Sequence, residues 1–332
     1  MLPSLRPGLL SPEEPPPGSL MHRSVDALSR FLAYNGRMFE EGQLYAPVTA
    51  DEDGGATVHL ADDHPGANDE EYRRRRNEIA APALSWRPGD PVPRVEYTDS
   101  ENDIWRTVCR ELAPKHERLA IRGYLEGKEA LALPTDHVPQ LDEVSAGLGP
   151  LSGFRLHPAA GLVPLDVFYG SLADGVFHST QYLRHPSQPL YTPEPDIIHE
   201  VIGHGNMLAS PRFAEVKQLA GEAARRVQTD EALQFIADVF WFTLEFGVLW
   251  EDGELKAYGA GILSSYGEIE EFRGMEIRPL DFAEMGTIEY DITKYQPVLY
   301  AARSMDHVVE AVGGFFATAD DDTPARLAPA RT

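Results

Sequence analysis

The stretch of this 332-residue chain that decides its fold class is Pro195-Asp196-Ile197-Ile198-His199-Glu200-Val201-Ile202-Gly203-His204. A second segment, Trp241-Phe242-Thr243-Leu244-Glu245, follows it along the chain. Together they offer two imidazoles and one carboxylate, which is the ligand set of a facial non-haem Fe(II) site with positions left open for oxygen and water. The pattern therefore indicates an oxygen-activating enzyme.

The spacing of the two histidines is unusual for one helix. His199 and His204 are five residues apart, whereas a zinc peptidase helix carries histidines four apart. In an ideal α-helix, positions five apart point roughly 140° away from each other. Both imidazoles can face one metal only if the helix is irregular, so we expect a π-bulge or a helix end near Gly203. The alternative is a pair of buried histidines satisfied by hydrogen bonds.

Four further runs of sequence carry a family resemblance. They are residues 153–156, 176–185, 191–196 and 256–268. With the two segments above, they resemble the catalytic domain of the pterin-dependent aromatic amino acid hydroxylases, the phenylalanine, tyrosine and tryptophan monooxygenases. Bacterial phenylalanine 4-monooxygenases are the members that the chain resembles most. The resemblance extends from Gly153 to about Phe316, and it is looser from about Asp63 to Gly153.

The resemblance implies roles for individual residues. Three side chains would hold an Fe(II) ion: His199, His204 and Glu245. Three would contact a tetrahydropterin: Phe168 by stacking, with His178 and Glu200 beside it. Four would bind the amino acid: Arg184 at its carboxylate, Thr192 and Ser264 by orienting it, and Trp241 as a wall of the aromatic pocket. Dioxygen would be the co-substrate.

The chain departs from the family pattern after the second histidine. The family usually has an apolar residue, Pro and Leu at these positions, whereas this chain has Gly205-Asn206-Met207. The departure concerns the fine shape of the site near His204 and leaves the ligands themselves unchanged.

The chemistry of the residues agrees with these roles. The planar guanidinium of Arg184 matches a carboxylate, and Asp196 is a plausible partner that would fix it. Trp241 lies four residues before Glu245, so on one helix the two would share a face. Glu200 follows His199 directly and would point elsewhere, towards a cofactor rather than the same metal. Ser264 could orient an imidazole or the substrate, or cap local backbone groups.

Each of these residues also has an ordinary structural interpretation. Phe168 and Trp241 could pack in the core, and His178 could be a core histidine with satisfied hydrogen bonds. Glu200 could be a solvated surface residue, and Arg184 could form a weak surface ion pair.

The substrate is predicted from Trp241. Tryptophan at this position matches the phenylalanine and tyrosine branches of the family, so hydroxylation of free L-phenylalanine to L-tyrosine is the first prediction. Hydroxylation of tryptophan, or meta-hydroxylation of phenylalanine by the same chemistry, is the alternative. From other classes, a zinc-dependent hydrolase with Glu200 as base and a non-catalytic binding protein are also considered.

Composition limits the partners and the location. The formal charge is -24, which argues against binding to nucleic acids or anionic membranes. No apolar run approaches the roughly 20 residues that cross a bilayer, and no secretory signal is recognised, so we expect a cytoplasmic protein. The one cysteine, Cys109, excludes an internal disulfide.

The chain is predicted to be mainly α (α+β), as one largely helical catalytic domain with short strands. We expect a Pro-rich tail and an N-terminal helix over residues 1–45, the iron and pterin hydroxylase domain over 46–320, and a tail over 321–332. A monomer is expected.

Spacing and composition also predict individual elements. Helices are predicted over 24–39, 69–80, 101–113, 116–127 and 231–250, with helix starts at Thr192-Pro193 and Ser210-Pro211, and a short strand over 56–60. The basic block Arg73–Arg76 is typical of a solvated, salt-bridged helix face.

Overall fold

Helices are the main elements of the structure, a computed structural model that describes residues 46–51, 53–161, 163–290 and 294–327. These residues belong to one compact unit. In chain order the α-helices are α1 (Glu70–Ser85), α2 (Asp99–Leu119), α3 (Arg122–Leu131), α4 (Leu141–Ser152), α5 (Leu165–Leu172), α6 (Asn206–Leu208), α7 (Pro211–Arg226), α8 (Asp230–Phe240), α9 (Ala260–Ser264), α10 (Glu268–Glu271), α11 (Phe282–Met285), α12 (Met305–His307), α13 (Gly314–Thr318) and α14 (Thr323–Leu327).

Irregular helices interrupt this series, and two of them carry the predicted ligands. Within the described ranges, the π-helical segments are His199–Gly205, Trp241–Glu245 and Val308–Gly313. A short 3₁₀ turn, Phe272–Gly274, follows α10.

The strands are short and form three small sheets in the described part of the chain. Strands β1 (Val48–Ala50) and β2 (Ala56–Val58) pair antiparallel, and β3 (Arg155–Pro158) and β4 (Val176–Ser179) pair parallel. The third sheet has the order β6-β5-β8-β7, built from β5 (Val248–Glu251), β6 (Glu254–Ala257), β7 (Glu276–Pro279) and β8 (Val298–Ala302). The fold is therefore mainly helical with minor sheets, as predicted.

A single large hydrophobic core surrounds the segments that carry the predicted ligands. Val201 and Ile202 of the first π-helical segment and Phe242 and Leu244 of the second belong to it, as does Ile198 directly before the first segment. A buried position costs a polar side chain its hydration, so the imidazoles and carboxylate between these apolar residues must find partners.

Several predicted elements are confirmed. The strand predicted over 56–60 is β2. The helix predicted from residue 69 is α1, where Asp69 accepts a hydrogen bond from the backbone N–H of Tyr72 as an N-cap. Ser210-Pro211 marks the start of α7. The helix and tail predicted before residue 46 lie outside the described residues.

The predicted boundary at residue 113 is wrong. Helix α2 continues to Leu119 through Pro114, because His116 and Leu119 are buried. It ends where the backbone N–H of Ile121 donates to the carbonyl of Ala257. A tertiary contact with β6 therefore replaces the helical hydrogen bond, and α3 begins afresh at Arg122.

The long helix predicted over 231–250 is also too long. It ends at Glu245, and Val248–Glu251 forms β5, paired with β6 and β8. The carbonyl of Gly247 accepts from the backbone of Tyr258 and Gly259, so the chain turns there into the sheet. Apolar residues are compatible with either element, and the pairing partners decide between them.

No helix starts at Thr192-Pro193. The Thr192 hydroxyl donates to the carbonyl of Glu194 at 2.7 Å, and Pro195 disfavours a helical conformation for the residue before it. Helical residues begin at Ile197. The Asp196 carboxylate caps them by accepting from the backbone N–H of His199 at 3.2 Å.

The basic block is only partly a solvated face. Arg74 pairs with Glu78 at the surface, but Arg76 is 2% exposed and forms a buried ion pair with Glu194. Its guanidinium also lies 3.3 Å from the ring centre of Tyr182. The prediction was wrong for Arg76 because a long-range partner, distant in sequence, compensates its burial.

Candidate active site

The side chains of His199, His204 and Glu245 face one another. Nε2 of His204 lies 3.0 Å from Oε1 of Glu245 and 3.1 Å from Nε2 of His199. The distance from Nε2 of His199 to Oε2 of Glu245 is 3.6 Å. One ion bound at about 2.0–2.2 Å from each atom can bridge separations of this size. The three groups therefore fit a metal ion.

A π-helix brings the two imidazoles to one face. His199–Gly205 is π-helical, and the backbone N–H of Asn206 donates to the carbonyl of Val201, five residues earlier. In this geometry positions five apart are aligned, which an α-helix does not allow. A Cβ at Gly203 would lie 2.7 Å from the carbonyl oxygen of Ala260, so glycine lets the π-helix pack directly on α9. The irregularity expected near Gly203 is present.

The carboxylate is also presented by a π-helical turn. Trp241–Glu245 follows α8 directly, and the N–H of Phe246 donates to the carbonyl of Trp241 at 2.9 Å. Trp241 and Glu245 both line the same cavity. The shared face expected for them is therefore reached through a π turn rather than a regular α-helix.

Ser264 defines the tautomer of His199. Its hydroxyl donates to the carbonyl of Ala260 at 2.8 Å, and a hydroxyl has a single proton. The Nδ1–H of His199, 2.9 Å away, must then donate to the Ser264 oxygen. Nε2 is left with its lone pair directed at Glu245 and His204, in the form that binds a metal. Orienting an imidazole was one of the arrangements expected for Ser264.

Lys217 is a residue of the site that the sequence reasoning missed. Its Nζ lies 2.7 Å from Nδ1 of His204, and the residue is 1% exposed. The rings of Phe177 and Phe240 lie 5.1 and 5.0 Å from the amine. The signal was available, because Lys217 sits on the apolar stripe of α7, four residues after the buried Phe213.

Replacing Lys217 with methionine is expected to weaken metal binding. A metal on Nε2 of His204 leaves the ring proton on Nδ1, so Lys217 supports the site as a neutral amine that accepts this proton. Loss of such an outer partner of a ligating histidine typically lowers metal affinity about 10- to 100-fold. Methionine fills a similar volume between the aromatic rings, so the fold should persist. Competitive titration with a chelator measures the Fe(II) affinity, and Lys256→Met, a surface lysine bound to the Arg118 carbonyl, is the control. Unchanged affinity in Lys217→Met would show that this contact does not support the site.

One cavity of about 290 Å³ opens onto the three groups. All ten residues predicted to bind metal, cofactor or substrate line it: His199, His204, Glu245, Phe168, His178, Glu200, Arg184, Thr192, Trp241 and Ser264. Segments distant in sequence therefore meet at a single site.

Arg184 is held by Asp196 in the wall of the cavity. Its Nε and Nη2 each lie 2.9 Å from a different oxygen of the Asp196 carboxylate, and its backbone N–H donates to the same group. Arg184 is 4% exposed and Asp196 is fully buried. The predicted pair is confirmed. Because Nη1 takes no part in it, that edge of the guanidinium can receive a second carboxylate.

Aromatic rings form another wall. Trp241 stacks on Tyr290, with ring centres 5.0 Å apart, and contacts Phe246 at 4.6 Å. Its indole N–H donates to Oε1 of Gln296 at 3.4 Å. Trp241 remains partly exposed and lines the cavity, so one of its faces is available to an aromatic ligand.

A third part of the cavity is lined by Phe168, His178 and Glu200. Phe168 packs against Phe177 at 5.5 Å. Burial lowers the pKa of His178 to about 4, with a further contribution from His157. Burial also raises the pKa of Glu200 well above its usual range, and Thr180 donates its backbone N–H and hydroxyl to the Glu200 carboxyl at 3.4 and 3.3 Å. Neutral side chains beside an aromatic ring suit an uncharged heterocycle.

Glu268, at the rim near Tyr295, makes stability depend on pH. Burial raises its pKa to about 7, although its carboxylate accepts the backbone N–H of Gln296 at 3.1 Å. A carboxyl whose pKa is higher in the folded than in the unfolded state stabilises the fold at low pH and loses that contribution as pH rises through about 7.

Glu268→Gln should remove this dependence, since an amide does not titrate and still accepts from Gln296. Relative to the variant, the wild-type chain is expected to lose about 3 kcal/mol of stability between pH 5 and pH 8. Urea unfolding at both pH values measures the difference. Parallel pH profiles for the two proteins would contradict the assignment.

Residues 54–329 match the model of a protein family described as biopterin-dependent aromatic amino acid hydroxylase. The chain belongs to this family. It is 55% identical to phenylalanine 3-hydroxylase from Streptomyces coeruleorubidus over 264 residues. The aligned region covers 80% of this chain and 95% of that protein. It is 42% identical over 269 residues to phenylalanine-4-hydroxylase from Bos taurus, covering 79% of this chain and 59% of that protein.

A solved structure supports the same relationship. Phenylalanine hydroxylase from Chromobacterium violaceum, with bound iron(III) and oxidised 7,8-dihydrobiopterin, superimposes with a TM-score of 0.63 at 28% identity. The match covers 70% of this chain and 82% of the other.

The family membership confirms several predictions from the sequence. This hydroxylase has the predicted fold class, is an enzyme, and depends on a pterin. Nothing in these comparisons supports a zinc-dependent hydrolase, so that alternative is not retained. Within the described residues, no helix has the length and apolar character needed to cross a membrane.

Proposed function

We propose that this hydroxylase acts on the ring of free L-phenylalanine, with an iron ion held by His199, His204 and Glu245. The observation that carries the proposal is the convergence of these groups, within 4.8 Å of one another, in the cavity that also contains Arg184 and Trp241. Two neutral nitrogens and one carboxylate suit ferrous iron with open positions. The iron found in the Chromobacterium violaceum enzyme supports this choice.

The residues around the metal would have separate tasks. When bound, the iron and the tetrahydropterin together supply the activation of dioxygen. Phe168 would stack on the pterin, with His178 and Glu200 beside it. Burial of these groups excludes bulk water from the reacting atoms.

The amino acid would be held at both ends. The free Nη1 edge of Arg184 would bind the substrate carboxylate, and Asp196 keeps the guanidinium in place for it. The Thr192 hydroxyl donates its proton to the Glu194 carbonyl and accepts the Glu194 backbone N–H at 3.4 Å, so one lone pair of its oxygen would accept from the substrate ammonium group. Trp241 would pack on the ring. Holding a substrate at two points limits its rotation, which lowers the entropy to be lost at the transition state.

The relatives differ in the ring position of phenylalanine that their names specify. The protein with 55% identity is named a 3-hydroxylase, and the bovine protein with 42% identity a 4-hydroxylase. The higher identity, over nearly the whole Streptomyces protein, favours the meta product, which was the alternative to the tyrosine predicted from Trp241. Neither relative is named for tryptophan. We propose hydroxylation at the 3-position as the main reaction.

An aerobic assay with Fe(II), a tetrahydropterin and each of the three aromatic amino acids tests the proposal. Products are separated against authentic meta-tyrosine and tyrosine and identified by mass. We expect meta-tyrosine from phenylalanine. If tyrosine were the main product, the proposed 3-position would be wrong and the proposed substrate would stand. If the metal-loaded protein formed no product from phenylalanine, the proposed substrate would be wrong.

We also propose that the enzyme is a cytoplasmic monomer. Its acidic charge of -24 gives copies of the chain a mutual repulsion that favours solubility. Light scattering after gel filtration measures the mass, and a dimer mass would contradict the proposal.

A further inference from the structure

Four polar side chains, three buried and one half-buried, form a group behind the first π-helix, outside the cavity. They come from α2, α3 and α6, and we call them the back cluster: His116, Tyr124, Lys128 and Asn206. Their exposures are 1% for His116, 0% for Tyr124 and 1% for Asn206. None of the four lines the cavity. Polar groups in such a position stabilise a unique arrangement only when they are hydrogen-bonded to one another or to the backbone.

Two members of the back cluster bind the carbonyl oxygen of Ile202. The Tyr124 hydroxyl and the Asn206 Nδ2 each donate to it at 3.0 Å. Since the Tyr124 proton is used there, its oxygen accepts the second Nδ2 hydrogen of Asn206, at 3.2 Å. The three groups close a ring of hydrogen bonds on a carbonyl that lies between the two histidines of the π-helix.

Of the other two members, His116 binds the carbonyl oxygen of Leu263, and Lys128 binds His116. A carbonyl can only accept, so Nε2 of His116, 2.7 Å away, carries the proton and donates. Nδ1 of His116 then accepts from Nζ of Lys128 at 3.1 Å. Leu263 directly precedes Ser264, whose hydroxyl accepts from His199.

The two anchored carbonyls therefore lie next to the groups that orient the imidazoles. Ile202 is two residues before His204, and Leu263 is one residue before the partner of His199. We propose that the back cluster positions the two histidines for metal binding, through Tyr124 and Asn206 on one side and His116 and Lys128 on the other. This inference rests on the proposed metal role of His199 and His204.

The departure from the family pattern after His204 is explained by this arrangement. Asn206 occupies one of the altered positions, and its amide supplies a donor that an apolar residue or proline does not have. Helix α3 must also approach closely, and a Cβ at Gly127 would lie 2.3 Å from the carbonyl oxygen of Asn206. Glycine at 127 lets Tyr124 reach the π-helix.

Tyr124→Phe is the direct test, because it removes one hydroxyl and keeps the ring. The readouts are the visible absorption spectrum of the Co(II)-loaded protein, the Co(II) affinity, and kcat and KM for phenylalanine. We expect an altered Co(II) spectrum, affinity about tenfold weaker, and a lower kcat with KM nearly unchanged. Tyr258→Phe is the matched control, since the Tyr258 hydroxyl is buried without a hydrogen-bond partner among the described residues.

A double-variant cycle adds a readout that a general loss of stability would not give. Tyr124→Phe and Asn206→Leu act on the same carbonyl, so their effects on Co(II) affinity should be non-additive. His116→Gln retains an amide that can donate to Leu263 and should keep more affinity than His116→Leu. Thermal unfolding of the metal-loaded proteins reports stability separately.

The proposal is overturned if Tyr124→Phe and Asn206→Leu both keep the wild-type Co(II) spectrum and affinity. It is also overturned if they lower only the unfolding temperature, since the cluster would then be purely structural. Failure of the proposed function would give a different result from failure of this positioning role. In that case the wild-type protein binds Co(II), and the variants alter its spectrum, but no product forms from phenylalanine.

Discussion

Replacing His199 or Glu245 with alanine is expected to abolish iron-dependent hydroxylation while leaving the fold largely intact. Each change leaves two of three ligand groups at a site whose atoms lie 3.0–3.6 Å apart. Metal affinity should fall by more than the roughly 10- to 100-fold that follows loss of an outer partner. Product formation with Fe(II) and tetrahydropterin, and the iron content after desalting, measure both consequences.

The fold should survive because these groups are costly to bury. Burial raises the pKa of Glu245 and lowers the pKa of His199 to about 4, so alanine removes polar groups that disfavour the folded state. His137→Ala is the control, since His137 is an exposed histidine paired with Asp136. Wild-type turnover in either His199→Ala or Glu245→Ala would show that the ligand assignment is wrong.

Arg184→Met is expected to raise KM for phenylalanine and lower kcat/KM by about thirtyfold or more. Losing one partner of a buried charged hydrogen bond to a ligand costs about 2 kcal/mol or more, and about 1.4 kcal/mol is a factor of ten. The variant should also unfold more easily, by about 3–5 kcal/mol, because Asp196 is left as an unpaired buried carboxylate. Steady-state kinetics and urea unfolding measure the two effects.

A second variant separates these effects. Arg184→Met combined with Asp196→Asn removes the unpaired charge, and asparagine still offers an oxygen to the backbone N–H of His199. We expect stability to recover while KM stays high. Arg225→Met, which breaks an exposed ion pair with Asp174, controls for loss of an arginine. If the double variant regained the wild-type KM, Arg184 would act only on stability.

Much of the site was predictable from local sequence because chemistry and spacing carried the information. The five-residue gap between His199 and His204 required an irregular helix, and a π-helix is present. Arg184 and Asp196 were predicted as partners from their complementary geometry, and they form a bidentate pair. The ten predicted residues were taken from a resemblance, and they line one cavity.

Other features could not be predicted from local sequence because their partners are distant along the chain. Apolar residues beyond Glu245 gave no indication of a strand, since the pairing of β5 with β6 and β8 decides it. Arg76 was predicted to be solvated, but Glu194 holds it in the interior. Thr192-Pro193 has the composition of a helix start, yet the following Pro195 and the Asp196 cap move the start to Ile197.

By itself the sequence determined the ligand types, the need for an irregular helix, the helical fold class and the family, because these depend on residue identity and near spacing. Only the tertiary structure decided which residues hydrogen-bond to the ligands and to the backbone beside them. Lys217 beside His204, Ser264 beside His199, and the two carbonyls bound by the back cluster all join residues far apart in the chain. Burial makes each polar group find a partner, but which partner it finds depends on how the helices pack.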